Sequence, residues 1–286
     1  MTIPTLLELA EAGAHFGHHR SLVSPKARKF VFDIRSNVAL INLEETQKAI
    51  ETAQKIITDA QKNNQLILFV GTKRSIRNMV KEAANAIGAS FITERWYGGT
   101  LTNFESIKEN IKRMNDLREF LTSEKAAKLS KKERLTFERK LHRYERFLGG
   151  VSKLNKMPEL IILASASEDN IAIAEANQLN VPVMAITDTD INPTKIDFPI
   201  PANDDAPKAI ELILNAIISA PTKANSEKVE EASTDEVSKA VEEKIEKKAV
   251  TKKSTKKTTA KKTVVKKAPA KKAEKKEVKK ASIKKK

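Results

Sequence analysis

The spacing of apolar positions divides this chain into short continuous runs, helical stripes, one long paired stretch and a segment with no pattern. The runs read as strands: Phe30–Phe32, Val38–Ile41, Gln65–Val70, Ser90–Thr93, Glu159–Ala164, Val181–Thr187 and Ile196–Phe198. Between them apolar residues return at three- and four-residue steps, the period of a helix with one buried face. One such helix follows Asn42, which with Glu45 has the spacing of a capping box. It runs to about Lys62 with Ile50, Ala53, Ile57 and Ala60 on one side. Others cover about Ser75–Ile87 and Asn170–Leu179, and the last starts at Asn203–Asp205 with Pro207 in its first turn. A run as apolar as Gln65–Val70 suits a parallel strand covered on both faces. Strands alternating with helices predict an α/β fold, a parallel sheet between helical layers with a crevice beyond the strand C-termini.

From 103 to 150 the pattern changes. Phe104, Ile107, Ile111, Met114, Leu117 and Leu121 form one stripe; Ser130 and Glu133 then supply a second capping box. Phe137, Leu141, Tyr144 and Leu148 follow in heptad spacing, and Gly149-Gly150 closes the helix. This predicts an inserted antiparallel coiled-coil hairpin whose seam buries itself without help from the sheet. Beyond Pro221 the pattern stops. The expected organisation is an α/β domain over 1–221, the hairpin at 103–150 within it, and a tail over 222–286.

Charge sharpens that division. The chain carries 53 Lys and Arg against 37 Asp and Glu. Residues 251–286 hold 17 Lys against 2 Glu, and residues 222–250 hold 6 basic against 8 acidic groups. The net +16 therefore belongs almost wholly to the tail, and residues 1–221 net only +3. So polar a segment cannot offset its ordering entropy and is expected to be disordered when free, acting as a polycation arm on nucleic acid, with a merely solubilising appendage as the rival reading. With no cysteine, disulfides, thiolate chemistry and Cys-ligated zinc are excluded. No apolar run approaches the roughly 18 residues of a membrane span. The N-terminus lacks a basic lead and has Glu8 and Glu11 in its apolar stretch, unlike a secretion signal. The expected location is the cytoplasm, away from membranes.

Candidate chemistry is sparse. His15, His18 and His19 cluster in "AHFGHH", but Gly17 interrupts any helix and no neighbouring carboxylate or cysteine completes a metal set. Packing or phosphate contact is the reading, with no metal. The turn Gly71–Ser75 opens a helix, with Lys73, Arg74 and Arg77 beside its N-terminus, and could hold phosphate. It lacks both the Walker and the dinucleotide spacings, leaving a nucleotide- or phosphate-binding enzyme as the alternative function. Asp188 and Asp190 follow a strand and read as loop caps. No small-molecule substrate or cofactor is indicated. Cations recur in irregular segments (Arg20, Lys26, Arg28, Lys29, Arg35, Lys73, Arg74 and Arg95) beside Phe16, Phe30, Phe32, Trp96 and Tyr97. Guanidinium groups with flat rings suit structured RNA. In "RWYGGTLTNF" the only tryptophan, Trp96, stands before Gly98 and Gly99, which turn the chain sharply. It is expected to plug the gap at the hairpin base, with base stacking as the rival role. Arg95 and Asn103 are the candidate RNA contacts of that stretch.

"AGAHFGHH", "INLEET", "LFVGTKR", "RWYGGTLTNF", "LGG", "MPELIIL", "IAIAEANQLNVPVMAITDT" and "IPANDDA" fall in register, over about residues 5–220, with the ribosomal protein S2 family of the bacterial small subunit, which the chain resembles. The resemblance implies a flavodoxin-like α/β domain with an inserted coiled-coil hairpin and no enzymatic activity. It further implies binding to small-subunit ribosomal RNA between head and body, and help in docking ribosomal protein S1. Ser165 stands where that family usually has an acidic residue. The Lys-rich tail is longer and more basic than the family core requires.

Overall fold

The computed structural model describes residues 3–123, 126 and 129–219. The tail expected at 222–286 lies outside them. In chain order the elements are α1 (Leu6–Glu11), β1 (Phe16–His19), β2 (Val31–Arg35), β3 (Val38–Ile41), α2 (Leu43–Lys62), β4 (Ile67–Val70), α3 (Arg77–Ala86) and β5 (Ser90–Ile92). Then come α4 (Phe104–Thr122), α5 (Lys131–Leu148), β6 (Leu160–Leu163), α6 (Asn170–Gln178), β7 (Val183–Thr187) and β8 (Phe198–Pro201). A final helix, α7, covers 207–219.

Five parallel strands form the central sheet in the order β5-β4-β6-β7-β8. Counted within the sheet this is 2-1-3-4-5, the flavodoxin-like order. Strand residues alternate between two cores, as a period of two requires. Ile67, Phe69, Leu160, Ile162, Met184 and Ile186 pack with α2, α3 and α7. Leu68, Val70, Ile161, Leu163, Val183 and Ala185 pack with α6 and with the base of α4 and α5. Burial on both faces explains the unbroken apolar runs.

The second sheet is antiparallel, in the order β1-β3-β2. Ser36 and Asn37, both at positive φ, make a two-residue turn between β2 and β3, the geometry that matches strand twist. The apolar pattern predicts no strand at Phe16–His19, where β1 lies. A Cβ at Gly17 would sit 2.8 Å from Thr189 Cγ2, so this glycine admits the close approach of another segment. The strand expected at Ile196–Phe198 lies instead at Phe198–Pro201. Pro199 and Pro201 fall within it, and β8 is an edge strand, where a missing N–H is tolerated. At the start of α2, Asn42 caps by accepting from the Glu44 N–H, while Glu45 pairs with Lys48 rather than closing a box. The box at Ser130 and Glu133 is present.

Helices α4 and α5 run antiparallel, joined by an Arg118–Glu145 ion pair at 2.8 Å and by an edge-on contact of Phe120 with Phe137. Their base is not independent of the sheet, contrary to expectation. Phe104, Ile107, Phe147 and Leu148 enclose one small void together with Leu68 of β4 and Ile92 of β5. The apolar stripe is longer than the hairpin seam needs because its first turns also cover strands. Among the described residues no helix is long and apolar enough to cross a membrane.

Candidate nucleic-acid interface

The loop after β5 is shaped by one carboxylate. On α6 the buried positions are Ala172, Ile173, Glu175 and Ala176, an i, i+1, i+3, i+4 stripe that carries an acid into the core. Glu175 accepts hydrogen bonds from Trp96 Nε1 at 3.0 Å, the Gly99 N–H at 2.8 Å and the Leu101 N–H at 2.9 Å. The Thr102 N–H and hydroxyl donate at 3.3 and 3.4 Å. Burial alone would raise the Glu175 pKa; the donors around it outweigh that and hold it below the ordinary value. Trp96 is 6% exposed within the core beneath the helix pair, the expected plug, and its N–H also anchors the loop. Gly99 sits at φ +90°, where only glycine is unstrained. Gly98 has no such φ and nothing within 4 Å of a Cβ, so it is not needed for the turn. Gly149 is right-handed, and it is Gly150 whose Cβ would strike the Phe91 carbonyl oxygen.

This clamp leaves Arg95 and Tyr97 facing outward. Asn103 is also exposed, and its amide oxygen accepts from the Ser106 hydroxyl. Arg77 turns inward. Its Nε donates to the Thr72 carbonyl and its guanidinium holds Glu94, which also receives Arg146 from α5. That three-way pair fastens the strand-to-loop junction to the helix pair and holds the Glu94 carboxyl below its usual range.

The crevice beyond the parallel strands is acidic. Lys73 donates to the Asp204 carbonyl and to the Asp205 carboxylate, and Ser165 donates to Asp204 at 2.7 Å. The Thr72 hydroxyl donates to Asp169 at 2.9 Å. Asp169 is pushed up to about 6 by burial, despite that bond. His18 Nδ1 lies 3.2 Å from Asp188, whose carboxylate also caps the Thr189 N–H and hydroxyl. Burial opposes the His18 charge, yet Asp188, Asp190 and Asp204 raise its pKa above the ordinary value. Among the described residues, His18, Asp188 and Asp190 are the group whose ligand atoms converge closely enough, within 4.8 Å, to hold a cation. A phosphate at Gly71–Ser75 would meet these carboxylates, with Lys73 already occupied. The geometry therefore disfavours the phosphate-binding alternative.

The remaining predicted cations lie at the surface. Arg20, Lys26, Arg28, Lys29 and Arg74 are exposed; Lys29 stands over the Phe30 ring at 4.6 Å. His19 caps a short helical turn through Ser21, and His15 is partly buried against Phe16. Exposed Phe16, Leu22, Phe32 and Ile34 accompany these groups around the antiparallel sheet, Phe32 at 72%. Sequence reasoning missed Glu175, Glu94 and Arg146. The one available signal was an acid on the apolar face of "IAIAEANQ".

Comparison with known proteins places these motifs in one family. The profile described as Ribosomal protein S2 matches residues 9–224. A protein named small ribosomal subunit protein uS2 from Pseudoalteromonas translucida is 40% identical over 219 residues, covering 77% of this chain and 90% of its own. Its namesake from Helicobacter hepaticus is 38% identical over 227 residues, 79% of this chain and 86% of its own. That from Petrotoga mobilis is 36% identical over 230 residues, 80% of each. The chain belongs to the ribosomal protein S2 family.

Proposed function

We propose that this member of the ribosomal protein S2 family is a structural component of the small ribosomal subunit, without catalytic activity. The observation that carries the proposal is continuous similarity over residues 9–224 to a family whose relatives are named for that subunit. It binds small-subunit ribosomal RNA between head and body. Arg20, Lys26, Arg28, Lys29, Arg74 and Arg95, exposed on turns and loops, are the direct cationic contacts, with Asn103 beside them. Lys73, Arg77, His15 and His18 act through the internal partners described above, positioning that surface, and His19 orders the turn carrying Arg20. Helices α4 and α5 form the inserted coiled-coil arm. The projecting helix pair meets neighbouring proteins, and ribosomal protein S1 is the partner this reading assigns to it.

Co-sedimentation of the tagged full chain with small subunits through a sucrose gradient tests the proposal. The expected result is a salt-resistant, near-stoichiometric peak with the small subunit. A chain that stays at the top of the gradient, or follows DNA instead, overturns it.

A further inference from the structure

The loop clamped by Glu175 forms one wall of a pocket of about 350 Å³ whose other walls are α4 and α5. Tyr97 stands at its rim, 39% exposed, its ring fixed edge-on against Phe147 at 5.5 Å. Asn103, Ser106 and Asn110 line one side and Arg143 the other. None of the lining residues is acidic, in contrast to the crevice at the strand ends. Arg139 and Lys140, one turn back along α5 from Arg143, are exposed, as is Arg95. At Gly98 the space beside the backbone is open.

We infer that this pocket receives one unpaired nucleobase of the ribosomal RNA, stacked on Tyr97, with its phosphate on Arg143. The inference rests on the RNA-binding reading above and gives it a specific subsite. A preset ring offers a stacking surface at small entropic cost, which is how proteins take up splayed bases. Amide and hydroxyl groups on α4 match a base edge, and the guanidinium supplies the charge that an apolar protein side chain would not require. Volume, flat ring, neutral hydrogen-bonding groups and positive rim all describe the same ligand.

The test uses the full chain and a transcript of small-subunit ribosomal RNA at fixed salt. Tyr97→Ala is expected to weaken binding about tenfold, the size of losing one aromatic stack, while Tyr97→Phe keeps wild-type affinity. Arg143→Gln should lower the salt dependence by about one counterion. Ultraviolet crosslinking of the wild-type complex should join RNA to the peptide containing Tyr97. Arg143 is exposed and Tyr97 partly so; should Tyr97→Ala melt early, Arg143→Glu carries the affinity test. If the wild-type chain binds the transcript and these variants bind it equally well, the subsite is wrong while RNA binding stands. If the variants bind RNA normally but fail to enter reconstituted subunits, a protein neighbour fills the pocket and the nucleobase assignment falls. If the wild-type chain itself does not bind, the RNA-binding reading fails and the subsite with it.

Discussion

Glu175 shows how much of a surface loop can depend on one buried side chain. Its carboxylate accepts from four residues of the loop, and an amide in its place would turn an N–H toward those donors. Glu175→Gln is expected to cost about 2–3 kcal/mol, as for a charge-assisted buried bond left unmade, measured by urea melts at pH 7. The folded pKa is depressed, so this stabilisation is present above the ordinary carboxylate range and is lost as pH falls through the folded value. Emission from Trp96, the only tryptophan, should therefore shift red in acid before global unfolding; an unshifted spectrum until the final melt would contradict the clamp. Asp169 behaves oppositely. Its folded pKa of about 6 exceeds the unfolded value near 3.8, so its contribution to stability declines as pH rises across that window. Asp169→Asn should remove that slope and stabilise the protein at pH 7 by between about 1 and 3 kcal/mol. A destabilised variant at pH 7 would mean the Thr72 bonds outweigh the burial cost. At this scale the sequence disclosed Trp96 as a plug and Arg95 as exposed, because size and charge sort residues locally. It did not disclose Glu175, whose partners lie 73 to 79 positions away.

At the scale of elements, the helix pair has a base that belongs to the core and a distal part that does not. Ile111 and Met114 are buried near the base, whereas no residue of α5 before Leu148 is fully buried. Replacing 102–149 by a Gly/Ser linker would uncover Leu68 and Ile92 and is expected to abolish the cooperative thermal transition. Replacing only 118–139 by a short turn should keep it, with a midpoint within about 3 °C of wild type. Calorimetry on both deletants decides this, and equal behaviour of the two would refute the division. Strands buried on both faces and helices with a single apolar stripe were legible in the sequence. Two of the edge strands, β1 and β8, were missed or misplaced. β1 depends on packing against the loop after β7, and β8 tolerates prolines only because it lies at the edge.

For the molecule as a whole, charge is distributed unlike the fold. The domain is nearly balanced, while residues 222–286 carry 23 basic and 10 acidic groups. Ending the chain at Pro221 should weaken non-specific RNA binding and flatten its salt dependence, since fewer counterions are released. Incorporation into small subunits should survive, because every motif of the family lies before that point. Truncated protein absent from subunit fractions would make the tail a required anchor.

The Glu175 clamp also bears on the speed of assembly. A cluster of backbone donors is ordinarily an anion trap that stays loose until its anion arrives. Here the anion is part of the chain, so the loop holds its working shape in the free protein. If RNA binds here as proposed, encounter need not wait for induced fit. Association should follow a single second-order phase, slowed by ionic strength, with no later first-order step belonging to this loop.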